Sequence, residues 1–174
     1  DELDILLDGI KGGSSTHRYQ AIGYLGKLDD EKVTPYLVHL LSGNEDEIIF
    51  YSLKAIGKKA DRGMLPQLLS LAKHQNPSLR YQSALILGDL DGTSGVDTLV
   101  SLCSDDDPIV RLSAAVALVR KGSSHCREVF ANTIKDTDYG IRSTTARILG
   151  ELKIQNREEL LSIALVDENI RVRT

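Results

Sequence analysis

Three eleven-residue segments of this chain are near-copies of one another: Arg18-Tyr-Gln-Ala-Ile-Gly-Tyr-Leu-Gly-Lys-Leu28, Arg80-Tyr-Gln-Ser-Ala-Leu-Ile-Leu-Gly-Asp-Leu90 and Arg142-Ser-Thr-Thr-Ala-Arg-Ile-Leu-Gly-Glu-Leu152. They start 62 residues apart, twice 31, and residues 49–59 and 111–121 hold the same register between them. Five copies therefore follow without an insertion. A sixth reads from Arg171, 29 residues after Arg142, which implies two residues lost from the preceding loop. A period this regular constrains the fold more than any local motif. A unit of about 31 residues is too small to bury a core alone, so copies must stack and share one.

Each column of the repeat has a physical task. Four residues before the Arg column stand Ser14, Glu45, Asn76, Asp107, Asp138 and Asp167, mostly side chains that accept from the free N–H groups of a helix start. Pro77 and Pro108 follow directly, where a missing N–H costs nothing. The columns Ala21, Ser52, Ser83, Ala114, Thr145 and Leu25, Ile56, Leu87, Leu118, Leu149 lie four residues apart on one helical face and predict a buried stripe. Gly26, Gly57, Gly88 and Gly150 come next, where a helix ends or a neighbouring backbone comes close.

The other half of each unit predicts a second helix, marked by Leu6, Leu37, Leu68, Leu99, Phe130 and Leu161 and by the column Ile10, Leu41, Ala72, Cys103 and Ile134. Pro35 and Pro66, then Asp97, Glu128 and Glu159, occupy its first turn, as the helix dipole favours. The expected fold is all-α: an α-α superhelix of about five and a half two-helix repeats of 31 residues, forming one domain over 1–174. Asp1 replaces an initiating Met and the last residues read as the opening of another helix, so the sequence is expected to be part of a longer protein.

Composition removes several function classes. A formal net charge of −4 argues against a protein whose task is to neutralise phosphates. No stretch approaches the roughly 18 to 20 apolar residues of a membrane helix and the N-terminus lacks signal-peptide order, so a cytoplasmic location is the expectation. Cys103 and Cys126 are too few for a disulfide framework; Cys103 reads as a space-filling thiol and neither as a staple.

Asp107-Pro-Ile-Val-Arg111 followed by Ala114-Ala115, with Leu-Gly-x-Leu in other copies, resembles the short HEAT-like repeats of the phycobilin lyases and of many bacterial and archaeal scaffold proteins. The resemblance covers almost the whole chain and implies a solenoid that binds a macromolecule; a bilin-lyase-like subunit or chaperone is an alternative it also implies. HEAT-like deoxyhypusine hydroxylases hold iron with His-Glu pairs, but here Arg18, Leu40, Gln75 and Cys126 follow the four histidines. HEAT-like DNA glycosylases rely on Trp, Asp and Arg in a basic cleft, and this chain has no Trp.

Other motifs read as turns. Gly9-Ile-Lys-Gly-Gly-Ser-Ser15 lacks Walker spacing, Ser123-Ser-His-Cys126 lacks an oriented third partner, and Asp105-Asp-Asp107 reads as a solvated loop ending in a cap. No catalytic residue, cofactor or metal site is expected. Arg18, Arg80, Arg111 and Arg142, one turn into their helices, are expected to form a structural ladder with Asp107 and Asp138 and their equivalents.

The best functional lead is the set of positions that stacking does not need. Tyr19, Phe50, Tyr81 and Leu112 follow the Arg column, and Lys54, Leu85, Val116 and Arg147 stand four residues further on. They are expected to line the inner surface of the solenoid as an aromatic and aliphatic ridge with basic borders, suited to a protein partner. The alternative partner is nucleic acid, through Lys54, Lys58, Lys59, Arg120 and Arg147.

Overall fold

A computed structural model describes residues 2–29 and 31–173, and the regular structure among these is helical throughout, without strands. The chain clusters into two compact units, Asp1–Ser94 and Gly95–Thr174. In the first, α1 (Glu2–Gly12) packs on α2 (Ser15–Leu25), α3 (Val33–Leu40) on α4 (Asp46–Ile56), and α5 (Leu65–Leu71) on α6 (Pro77–Asp89). Helices α2, α4 and α6 lie side by side in that order. In the second, α7 (Val96–Leu102) packs on α8 (Pro108–Arg120), α9 (Glu128–Thr133) lies against α8 and α10 (Tyr139–Glu151), and α11 (Arg157–Leu165) and the short α12 (Ile170–Arg173) pack on α10.

The predicted stripes form the core except at two outer members, Leu6 and Leu161, which are half-buried. Leu25, Ile56, Leu87, Leu118 and Leu149 are buried, as are Leu37, Leu68, Leu99 and Phe130 on the alternate helices. The column four residues before the first of these takes only small side chains, Ala21, Ser52, Ser83, Ala114 and Thr145, because neighbouring helices meet there. Burial at 31-residue intervals is what a stack of individually inadequate units requires.

The glycine column serves two purposes. A Cβ on Gly26 would sit 2.8 Å from both Cβ and the carbonyl oxygen of Ala55, so the end of α2 reaches α4 only without a side chain. Gly57 ends α4 with φ 42°, whereas a Cβ on Gly150 would meet nothing within 4 Å. Gly26→Ala is therefore expected to destabilise by about 1–3 kcal/mol through overpacking, and Gly150→Ala to be neutral or stabilising; urea denaturation of the two variants checks the contrast.

Caps follow residue type more closely than column. Asn76 accepts from the Ser78 N–H, Asp107 from those of Ile109 and Val110, and Asp138 from that of Gly140. Ser14 does not cap: its hydroxyl pairs with His17 Nδ1 at 2.6 Å. Glu45 does not cap either, since its longer side chain is engaged by Arg18.

The sixth repeat corrects the sequence reading. Asp105, Asp136 and Asp167 each accept the N–H two residues on, from Asp107, Asp138 and Asn169. Arg111, Arg142 and Arg173 each donate Nη1 to the carbonyls six and five residues before them. Asn169 and Arg173 thus continue the 31-residue register, and no residues are lost. Asp167 and Arg171 resembled the cap and the arginine only because the true pair lies two positions later.

The cysteines are a second correction. Cys103 at the end of α7 and Cys126 in the turn before α9 form a disulfide, with Cα atoms 6.1 Å apart. Cys126 has φ 63°, a left-handed turn conformation. Their separation is 23 residues, so comparing columns 31 apart never set them side by side.

Candidate partner-binding surface

In the first unit, adjacent helices bring three rings together. Tyr19 of α2 stacks on Tyr51 of α4 with centroids 4.6 Å apart and planes at 14°. Phe50 meets Tyr51 edge-on at 5.6 Å and 79°, a favoured aromatic geometry. Lys54, one turn along α4, places Nζ 5.5 Å from the Phe50 centroid and 5.9 Å from that of Tyr51. All three rings are half-buried and Lys54 is exposed. Thr16, Tyr19, Gln20, Gly23, Tyr51, Lys54 and Ala55 line an open groove of about 530 Å³ on these helices.

Tyr51 was not singled out in the sequence, although it joins the cluster. It stands in the column of Gln20 and Gln82, and it stacks on Tyr19 at a separation of 32 residues, one off the register. A relation of neighbouring helices slightly out of register is invisible to a comparison of equivalent positions.

The remaining ridge positions divide. Tyr81 and Leu85 on α6 are half-buried. Leu112 and Val116 are only 1% and 5% exposed and cannot line a binding surface, which corrects their assignment. The reason is that α8 is apolar on nearly every side, with residues 112–118 all buried, and a helix apolar all round belongs inside. Arg147 is exposed and pairs with Glu151 at 3.3 Å one turn along α10. It also lines a pocket of about 480 Å³ in the second unit with Leu161, Leu165 and Arg173.

The cations considered for nucleic acid do not act as one strip. Lys59 donates to the Leu28 carbonyl at 2.7 Å, and Arg147 is taken up by Glu151. Arg120 is itself engaged, and the Lys58 side chain lies outside the described residues.

Arg18 and Arg142 each connect one repeat to the next. Arg18 is bidentate to Glu45 at 2.8 Å. Arg142 donates Nε and Nη2 to the two Asp167 oxygens at 2.7 and 3.0 Å. The acids opposite Arg18 and Arg142 are thus Glu45 and Asp167, whereas Asp107 and Asp138 accept from backbone N–H groups. Where Ile49 replaces the arginine, Asn76 donates across to Asp46 at 2.8 Å and maintains a link between repeats. Arg80 and Arg111 hold the carbonyls of their own preceding loops.

These pairs set an acid response. Hydrogen bonds from Arg142, then from the Asn169 N–H, hold the Asp167 carboxyl below the usual carboxylate range, and Arg18 does the same for Glu45. Folding therefore favours the ionised acids. Their stabilisation is complete above the unfolded carboxylate values of about 4 and is lost as pH falls through the lower folded-state values. Urea midpoints should accordingly fall below about pH 4, and Asp167→Asn should flatten that fall. The Arg142 and Asp167 side chains are only 10% and 9% exposed, against 25% and 54% for Arg18 and Glu45, so added salt should weaken the Arg18 pair more.

The helix pairs, their capped starts and their common register define an α-solenoid of the HEAT class. Residues 45–119 match the family model for HEAT repeats. Among solved structures it is similar to an engineered protein (TM-score 0.57, 17% identity, covering 99% of this chain and 92% of that one). It is also similar to human deoxyhypusine hydroxylase in complex with glycerol (TM-score 0.60, 14% identity, 99% and 81% covered) and to a designed armadillo repeat protein (TM-score 0.50, 12% identity, 98% and 95% covered). These likenesses show the fold alone. No curated protein matches the chain. Among the described residues no group of three or more His, Cys, Asp or Glu is placed to hold a metal, and no helix is long and apolar enough to cross a membrane.

Proposed function

We propose that this chain is a non-catalytic protein-interaction module that engages its partner on the α2–α4 face of the first unit. The observation that carries this reading is the Tyr19–Tyr51–Phe50 cluster with Lys54 above it: half-exposed rings beside an open groove, where burial of the rings by a partner would release apolar surface from water. Repeat solenoids use side-by-side helices as extended binding platforms, which supports the same face. The four histidines lack the following glutamates of the iron-binding hydroxylases they were compared with, which supports a role without that chemistry. Continuity of the register from 18 to 173 supports treating 1–174 as one repeat array.

Tyr51→Ala tests the reading, because the ring anchors binding only if a partner covers it. Affinity capture followed by mass spectrometry with the wild-type chain and the variant should show a specific partner lost by about tenfold or more, as expected for truncating a central aromatic anchor, while the thermal midpoint shifts little. Unchanged capture with a large fall in the midpoint would show that the ring only packs the helices.

A further inference from the structure

We infer that the α2–α4 groove takes a partner segment in which an acidic side chain meets the Lys54 ammonium while a neighbouring leucine or aromatic side chain lies against the Tyr19–Tyr51 pair; this rests on the protein-binding reading above. The groove wall has a gap at Gly23, which is exposed and where a Cβ would meet nothing within 4 Å, so a side chain of the segment has room between the helices. Thr16 and Gln20 supply a hydroxyl and an amide at the edge for the backbone of an extended segment.

Charge complementarity selects the acid. Lys54 forms no ion pair among the described residues; it lies over the Phe50 and Tyr51 rings, which hold a cation without using up its N–H donors. Lys27, just beyond the end of α2, is held in the same way over exposed Tyr24, 5.0 Å from its centroid. None of the residues lining the groove is acidic. A basic segment would meet like charge there, whereas a carboxylate completes the Lys54 donors. Because the chain as a whole carries −4, this attraction is local and acts within about a Debye length, roughly 10 Å at 0.1 M salt.

The test uses the full chain and two short fluorescein-labelled peptides of equal length, one alternating leucine with glutamate and one alternating leucine with lysine, titrated by anisotropy. The leucine–glutamate peptide is expected to bind about tenfold more tightly, the difference that one gained and one repelled charge contact make. Lys54→Glu, an exposed substitution confirmed as folded by circular dichroism, should abolish or reverse that preference, and Tyr51→Ala should weaken both peptides. Equal affinities, a preference that survives Lys54→Glu, or no binding of either peptide would overturn the inference. If both peptides bind equally and Tyr51→Ala weakens both, the acid preference falls and the protein-binding face stands. If partner capture and peptide binding are both indifferent to Tyr51→Ala and Lys54→Glu, the face itself is wrong.

Discussion

Phe130→Ala is expected to lower the stability of the second unit by about 4 kcal/mol, the usual cost of deleting a fully buried aromatic ring. Phe130 is fully buried on α9, and α9 is only six residues long, Glu128–Thr133. Its buried anchors are Val129, Phe130 and Thr133, and the Thr133 hydroxyl is spent on the Val129 carbonyl. So short a helix has almost no stability of its own and is held by what it buries. Removing the ring takes away the largest contact and leaves a cavity that a helix fixed at both ends cannot close. Phe130→Leu should cost less than about 1.5 kcal/mol, because Leu37, Leu68 and Leu99 show that the column is shaped for leucine. Urea unfolding followed by far-ultraviolet circular dichroism separates the two variants. A loss below about 1 kcal/mol for the alanine would mean that α9 is not anchored through this residue.

Reduction of the Cys103–Cys126 disulfide should cost about 3 kcal/mol. The bond closes a loop of 23 residues in sequence separation that includes all of α8, and removing a cross-link over such a loop restores about that much conformational freedom to the unfolded chain. The thermal midpoint should fall when a phosphine reductant is added to the oxidised chain. A Cys103→Ala, Cys126→Ala variant should start at the reduced value and ignore the reductant. Alanine at 103 is acceptable to the packing, since Ala72 fills the same column. A midpoint insensitive to reductant in a chain whose disulfide is verified by mass spectrometry would contradict this. The pairing lends no support to the cytoplasmic expectation, because disulfides persist in oxidising compartments.

The sequence made the two-helix unit legible because burial in a stacked repeat recurs at equivalent positions. Leu25 to Leu149 and Leu37 to Phe130 could be read as core from spacing alone, and each of them is buried. What spacing could not reach were relations off the register. Tyr19 on Tyr51 is one position out, Cys103 to Cys126 spans less than one unit, and Arg142 finds its carboxylate in Asp167, 25 residues on. Leu112 and Val116 failed differently. Column position placed them on the open face, but the uniformly apolar character of α8 was the stronger signal.

Part of the proposed binding surface was visible in the same way. Tyr19, Phe50 and Lys54 stood out as residues that stacking does not need, and they do come together, but through Tyr51 as the shared ring. A ring pair between helices depends on how the helices cross, which no single helix encodes.

Hydrogen exchange resolved by mass spectrometry is the most direct test of stacking in a 31-residue register. Slow exchange should recur over residues 21–25, 52–56, 83–87, 114–118 and 145–149, with fast exchange in the loops between. Protection without that recurrence, or confined to one continuous block, would contradict a fold built from units that lean on their neighbours.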